Sequence, residues 1–260
     1  MRLLTRYANR LQIACCGFAS LSLFVTYLRL VLILCCLTFQ LTAYYDQSKE
    51  EELIAHVQNS IEQAQKGVSK LSDAVLKIQG FSSPMVRHFL NNVCSMKNTT
   101  YLEIGCFKGS TFVSAGYGNK DSLLEMVGID NWSGFGGPRE AFYKNASLME
   151  PGLSWNFFES DCFALDITEI ISHPINVYFY DGSHSSEHQK AAFTYYNPIF
   201  DDVFIAIVDD WNWSQVRSGT LDAFQELNYE ILYKQEFFTN KNGGDKDDWW
   251  NGLLIAVIKK

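Results

Sequence analysis

Acidic residues follow two apolar segments in the second half of the chain. Asp181 comes directly after residues 177–180, and Asp209 and Asp210 come directly after residues 204–208. Clustered carboxylates repel one another, and a hard divalent cation such as Mg²⁺, which takes oxygen ligands, relieves this repulsion. The three acids therefore predict a metal site. The alternative is that Asp181 and Asp209 only cap the turns after their strands.

A second group of residues suits a nucleotide. Glu103, Gly105 and Gly109 follow or end the apolar segment 101–104, and glycines let a turn pass close to a ligand. The helix predicted from Ser110 points its positive N-terminal end to the same place. Asp130 ends the next apolar segment, where an acid can accept both hydroxyl groups of a ribose. Such a glycine turn, taken alone, also serves close packing of a helix on a strand.

Strand and helix signals alternate through the region that holds these residues. This alternation predicts a mainly parallel sheet with helices on both faces, in which ligands bind at the carboxyl ends of the strands. Only a charged, glycine-containing loop separates the last two strands, so we expect an antiparallel hairpin at the sheet edge. The predicted strands lie near 100–104, 126–130, 154–158, 175–180, 203–208, 229–237 and 252–258, and the predicted helices near 110–116, 138–147, 162–171, 185–194 and 215–227.

Several motifs together resemble a known family. They are Glu103-Ile-Gly-x-x-x-Gly109, Gly128-Ile-Asp130, Ser160-Asp161, Asp181-Gly-Ser-His184 and Asp209-Asp210. Over about residues 80–260 the chain resembles the class I S-adenosylmethionine-dependent methyltransferases, and among them the metal-dependent O-methyltransferases of the macrocin and cephalosporin-cluster type. The resemblance implies an α/β, Rossmann-like fold whose seven-stranded sheet is mostly parallel, with an antiparallel last strand and helices on both faces.

The resemblance also implies cofactors and roles for individual residues. The cofactors are S-adenosylmethionine and Mg²⁺. Glu103, Gly105 and Gly109 would line the methionine side of the cofactor, Asp130 would hold the ribose, and Ser160 and Asp161 would lie near the adenine; Asp181, Asp209 and Asp210 would bind Mg²⁺, and His184 would act as the catalytic base. Two alternatives stay open. Ser160 and Asp161 could form an ordinary helix N-cap, and His184 could hydrogen-bond a backbone carbonyl.

The N-terminal segment, residues 1–45, is almost continuously apolar from Leu11 onward. It holds four arginines and no acid. It predicts a single-pass membrane anchor and hence a membrane-associated protein, although Arg29 leaves the register of the transmembrane helix ambiguous. A cleaved signal segment and an organellar presequence are the alternatives. The side of the membrane on which the enzyme would lie stays open.

Residues 46–79 carry apolar side chains at alternating spacings of three and four between residues 57 and 78. This heptad-like pattern predicts an amphipathic helix. The helix would form either a coiled-coil stalk, with homo-oligomerisation through residues 50–78, or a helix that packs on the core. The methyltransferase-like domain would then occupy residues 80–260.

The charge balance of the chain indicates which class of partner it can bind. After the four arginines of the N-terminal segment are set aside, 17 basic residues face 29 acidic ones in the rest of the chain. A net charge of −12 argues against a nucleic acid, because binding of its phosphates requires a basic surface.

The seven cysteines show no CxxC spacing, so neither a zinc site nor a disulfide framework is predicted. Tryptophans at 132, 211, 213, 249 and 250 are expected at the rim of the site, where aromatic walls suit a sugar or a ring-bearing acceptor.

These patterns favour an S-adenosylmethionine-dependent methyltransferase that, with Mg²⁺, methylates a hydroxyl group of a small acceptor such as a sugar or secondary metabolite. Two alternatives remain. One is a catalytically inactive module that binds the cofactor and organises partners. The other is a related enzyme that uses the carboxylates for hydroxylation.

Overall fold

The computed structural model describes residues 47–240 and 248–260. Its central feature is a seven-stranded sheet with the order β3-β2-β1-β4-β5-β7-β6. Strands β1 to β5 pair in parallel, whereas β7 is antiparallel to both β5 and β6. This arrangement confirms the predicted fold class. The strands are β1 (Thr99–Ile104), β2 (Leu123–Asp130), β3 (Trp155–Glu159), β4 (Ile175–Tyr180), β5 (Phe200–Val208), β6 (Glu230–Phe237) and β7 (Leu253–Lys259).

Helices cover both faces of the sheet because successive strand side chains point to opposite faces. In β1, Tyr101 belongs to one buried cluster and Leu102 to the other. The Tyr101 cluster includes residues of α1 to α5, and the Leu102 cluster includes residues of α6 to α8. The helices are α1 (residues 47–65), α2 (Asp73–Leu76), α3 (Pro84–Val93), α4 (Ser110–Gly116), α5 (Arg139–Ala146), α6 (Ile167–Ile170), α7 (Ser186–Thr194) and α8 (Ser214–Glu226).

The heptad-like segment is not one continuous helix. Helix α1 ends at residue 65, where the Gly67 amide donates to the Ala64 carbonyl and the Val68 amide donates to the Gln63 carbonyl. This pair of bonds, with Gly67 at φ +67°, is the Schellman arrangement that ends helices. Val57, Ile61 and Ala64 are buried in the Tyr101 cluster, as a packing helix requires.

The predicted helix over 162–171 is also shorter than expected, because it spans only Ile167–Ile170. The Asp161 carboxylate accepts the Phe163 amide at 2.9 Å and so holds a turn where the helix was expected to begin. The Asp166 carboxylate then caps α6 by accepting the Thr168 amide at 3.2 Å. Acidic residues that bond to nearby amides compete with helix formation in this way.

No helix in the described part of the chain is long and apolar enough to cross a bilayer. This finding corrects the transmembrane anchor and the membrane-associated localisation that the sequence predicts. The N-terminal segment on which both predictions rest, residues 1–45, lies outside the described residues.

Candidate functional site

The turn after β1 touches the end of β4, and Gly105 makes this approach feasible. Its φ is +89°, and a Cβ atom at this position would lie 2.0 Å from the backbone oxygen of Asp181. The Asp181 amide donates to the Ile104 carbonyl at 2.9 Å, which joins the two strand ends. The predicted glycine turn and the predicted metal-site acid are therefore neighbours.

Asp130, at the end of β2, ties the turn after β1 to the loop after β2. Its two carboxylate oxygens accept the amides of Phe107 and Trp132, each at 2.7 Å. Both of these residues have left-handed backbones, with φ of 47°, and the Trp132 ring nitrogen donates to the Phe107 carbonyl at 3.1 Å. Asp130 thus shapes the wall of a cavity to which it also contributes.

Glu103 lies behind the cavity wall and not on it. Its side chain has no solvent exposure, and its two oxygens accept the hydroxyls of Tyr101 and Thr111, each at 2.6 Å. Burial raises the pKa of Glu103 from 4.5 to about 7, although these two hydrogen bonds act in the opposite direction. The partners of Glu103 come from β1 itself and from α4, and its predicted role beside the cofactor stays a prediction.

Gly109 likewise stands away from the cavity. It is the N-cap residue of α4, with φ +80°, and a Cβ atom there would lie 3.0 Å from the Phe142 ring. Ser160 and Asp161, in contrast, both contribute to the cavity wall. The Ser160 amide donates to the Asp130 carbonyl at 3.2 Å, which places this pair of residues beside the end of β2.

The structure brings Asp181, His184 and Asp210 together at the carboxyl ends of β4 and β5. One possible ligand atom from each of the three lies within 4.8 Å of the others. His184 Nε2 is 2.6 Å from a carboxylate oxygen of Asp210, and the imidazole also packs edge-on against the Trp213 ring, with centroids 4.4 Å apart. Asp210 has a left-handed backbone, with φ of 57°.

Asp209 lies beside this group, also on the cavity wall, and is 4% exposed. Burial, and next the charge of Asp210, raise the pKa of Asp209 well above its usual range. Burial, followed by the charges of Asp209 and Asp210, does the same for Asp181. The carboxyl groups of this cluster therefore lie close enough to disfavour one another's charged forms.

The residues present fit a hard divalent cation. Two buried side-chain oxygens or nitrogens in the described chain have no hydrogen-bond partner, and they are Asp209 Oδ1 and Asn251 Oδ1. Both residues contribute to the wall of the same cavity. Buried polar atoms are nearly always satisfied, and oxygen atoms from carboxylate and amide groups are the ligands that Mg²⁺ takes.

Asn251 is a residue of this site that the sequence motifs do not single out. Its amide nitrogen donates to Asp210 Oδ1 at 2.5 Å, and its backbone oxygen accepts the Asn212 amide at 2.9 Å. Strand pairing explains the position, because Val208 at the end of β5 pairs with Leu254 near the start of β7. The predicted antiparallel last strand was the available signal, since it returns the chain to the end of β5.

Apart from Glu103 and Gly109, the predicted site residues line one cavity of about 840 Å³, together with Asn251. Its mouth carries three phenylalanine rings, with centroids 4.9 Å apart between Phe81 and Phe107 and 5.0 Å apart between Phe81 and Phe135. Phe135 is 77% exposed, and Phe81 is 49% exposed. Of the expected tryptophans, Trp132, Trp213 and Trp250 contribute to the cavity wall, whereas Trp211 is wholly buried and Trp249 stacks on Phe237.

Comparisons with known proteins give similarity of structure without similarity of sequence. No family model matches the chain, and no curated protein sequence matches it. An O-methyltransferase from Bacillus cereus, in complex with S-adenosylhomocysteine, is 14% identical over 77% of this chain and 91% of its own, with a TM-score of 0.47.

Two further similar structures are a second complex with S-adenosylhomocysteine and a decarboxylase. TrmK from M. capricolum, in complex with S-adenosylhomocysteine, is 17% identical over 66% of this chain and 67% of its own, with a TM-score of 0.44. Precorrin 8W decarboxylase from Methanobacterium thermoautotrophicum is 11% identical over 70% of this chain and 93% of its own, with a TM-score of 0.48. Similar structures thus include methyltransferases, but at identities below 25% and TM-scores below 0.5 these similarities do not assign an activity to this chain.

Proposed function

We propose that this protein is an S-adenosylmethionine-dependent methyltransferase that methylates a hydroxyl group of a small acceptor with the help of a divalent cation, Mg²⁺. One observation carries the proposal. A single cavity joins the Gly105 turn and Asp130 to the cluster of Asp181, His184 and Asp210. A methyl donor and the group that activates an acceptor have to meet in one space, because proximity and alignment provide much of the rate enhancement.

The donor half of the cavity lies between β1 and β2. When bound, S-adenosylmethionine supplies a methyl group on a positively charged sulfur that an oxygen nucleophile can attack. The turn at Gly105 leaves room beside Ile104, and Asp130 is positioned by two backbone amides so that each oxygen keeps a further lone pair for a ribose hydroxyl. Ser160 and Asp161 on the wall beside the end of β2 suit the adenine side, as the sequence resemblance implies.

The acceptor half lies between β4 and β5. A bound Mg²⁺, held by Asp181, Asp209 and Asp210, would lower the pKa of an acceptor hydroxyl. His184 is oriented at Nε2 by Asp210, which leaves Nδ1 as the nitrogen that can take the hydroxyl proton. The aromatic mouth at Phe81, and the excess of acidic residues in the chain, favour a small ring-bearing acceptor without a polyanionic backbone.

The test separates cofactor binding from turnover. Calorimetry should detect binding of S-adenosylhomocysteine by the wild-type chain and a loss of affinity in Asp130→Ala, while the exposed Asp202→Asn serves as the matched control. Transfer of a labelled methyl group to a panel of small hydroxylated acceptors should occur with Mg²⁺ and stop with EDTA. Absence of S-adenosylhomocysteine binding would contradict the proposal.

Two other outcomes identify the alternatives. Cofactor binding without methyl transfer to any acceptor would favour an inactive binding module. Conversion of an acceptor without formation of S-adenosylhomocysteine would favour a hydroxylase-like enzyme.

A further inference from the structure

Asn251 presents a buried oxygen to the carboxylate cluster. Its side-chain nitrogen is the atom that faces Asp210, because it donates a hydrogen bond to Asp210 Oδ1 at 2.5 Å. The amide oxygen then faces away from Asp210. This oxygen is shielded from solvent and has no hydrogen-bond partner in the described chain.

A second atom, from another residue of the same cavity wall, also lacks a partner. Asp209 Oδ1 is likewise buried and unpartnered, and Asp209 is 4% exposed on the wall of the cavity to which Asn251 also contributes. Leaving a buried acceptor without a hydrogen-bond partner destabilises the folded chain. Two such acceptors at one cavity wall indicate a ligand that offers positive charge to oxygen atoms.

Asn251 is also fixed from both sides by the backbone. Its carbonyl accepts the Asn212 amide at 2.9 Å, and the next residue, Gly252, accepts the Trp211 amide at 3.1 Å. A Cβ atom at Gly252, with φ +88°, would lie 2.7 Å from the Asn212 side-chain oxygen. The start of β7 is therefore held against the loop that follows Asp210. Asn251 can move away from the cluster only if these hydrogen bonds break.

We propose that Asn251 completes the cation site from the β7 side, supplying its amide oxygen as a ligand while its amide nitrogen positions Asp210. The inference rests on the divalent cation of the proposed function and adds to it a neutral oxygen from an antiparallel strand. A neutral ligand limits the accumulation of negative charge where three carboxylates already lie together. Amide oxygens are common ligands of hard cations, alongside carboxylates.

The test uses Mn²⁺ as a paramagnetic substitute for Mg²⁺ and reads binding to the whole chain by electron paramagnetic resonance, without any substrate. Asn251→Leu should weaken Mn²⁺ affinity by about tenfold or more, the range seen when groups that orient metal ligands are lost. Asn251→Asp keeps an oxygen at the position but loses the donor to Asp210, so it should bind Mn²⁺ more tightly than Asn251→Leu does. Asn156→Asp adds the same charge at an exposed position of β3 and should leave the affinity unchanged.

The outcomes separate this inference from the proposed function. A folded Asn251→Leu chain that binds Mn²⁺ as the wild type does would overturn the role of Asn251, whatever the methyl-transfer assay shows. If that variant does not fold, Asn251→Ala takes its place, and Mn²⁺ binding as tight as in the wild type would overturn the role in the same way. Wild-type Mn²⁺ binding that depends on Asn251, in a chain that does not bind S-adenosylhomocysteine, would support the cation site and contradict the methyltransferase.

Discussion

Glu103 places an ionisable group where water does not reach, and this has a consequence for stability. Its pKa is raised from 4.5 to about 7, first of all by burial. A carboxyl group with a raised pKa in the folded state contributes stability that is fully present below about pH 4.5 and is lost as the pH rises through about 7. The sequence predicts Glu103 as a site residue because it lies at a strand end. Its separation from the cavity depends on its hydrogen bond with Thr111, which no local sequence pattern specifies.

Replacing Glu103 by Gln should remove this part of the pH dependence. We expect the stability of Glu103→Gln relative to the wild type to increase by roughly 3 kcal/mol between pH 4.5 and pH 8, at 1.36 kcal/mol per pKa unit. Urea unfolding at several pH values measures the difference. The exposed Glu230→Gln is the control, and a Glu103→Gln chain whose relative stability does not change with pH would refute the expectation.

Gly105 is required by geometry, in contrast to a glycine at the rim of the same cavity. Gly105→Ala introduces a Cβ atom 2.0 Å from a backbone oxygen at a φ of +89°. We expect it to destabilise the fold by more than the about 1–2 kcal/mol that a left-handed backbone costs an L-residue. Gly134→Ala, which adds a Cβ atom with no atom within 4 Å, should change the midpoint of thermal unfolding little. Equal effects of the two substitutions would contradict the close approach of β1 and β4.

At the scale of elements, the apolar stripe of the heptad-like segment separates into buried and exposed positions. Ile61 is 8% exposed in the core, whereas Val68, which follows the same spacing, is 51% exposed beyond the end of α1. Judged by periodicity alone, Ile61 and Val68 would occupy equivalent positions on the apolar face of one helix. The Gly67 turn is the reason that they differ, and the sequence shows the glycine without showing that the helix ends there.

Alanine substitutions test this division. Ile61→Ala should lower the free energy of unfolding by about 2–5 kcal/mol, the usual cost of removing a buried isoleucine side chain. Val68→Ala should stay within about 0.5 kcal/mol of the wild type, as exposed positions do. Denaturant unfolding measures both effects, and sedimentation shows the oligomeric state. A stalk that joins two chains predicts the opposite, namely that Val68→Ala weakens self-association.

The largest errors in the predicted elements lie at helix ends, for a physical reason. A buried parallel strand is a short apolar run, as in 175–180, and its bounds follow directly from composition. The end of a helix depends on single hydrogen bonds, such as that from the Phe163 amide to Asp161, which set the start of α6 five residues late. The sequence does not identify Asn251 as a site residue because its contact with Asp210 joins residues 41 positions apart. This contact depends on the pairing of β7 with β5.

At the scale of the whole molecule, the sheet order determines which predicted residues meet. Strands β1 and β4 are neighbours, so the turn at Gly105 lies beside Asp181, and β5 follows with Asp209 and Asp210. The parallel direction of these strands brings their carboxyl ends to one edge. The alternation of strands and helices predicts this edge, but the register that brings His184 to 2.6 Å from Asp210 comes only from the folded chain.

Net charge is the remaining whole-molecule property that bears on the acceptor. Outside the N-terminal segment the chain has 17 basic and 29 acidic residues. The resulting net negative charge repels a polyanion. Nucleic-acid binding strengthens steeply at low salt only when basic side chains displace counterions from phosphates. We therefore expect fluorescence anisotropy to detect no binding of labelled single-stranded or duplex RNA at either about 50 or about 200 mM salt. Between these two concentrations, proteins that bind nucleic-acid phosphates lose affinity by a factor of about 10³–10⁵. A basic RNA-binding protein provides the positive control under the same conditions. Binding that tightens by orders of magnitude at the lower salt would reveal a local basic surface and would direct the search for the acceptor from small hydroxylated compounds to RNA.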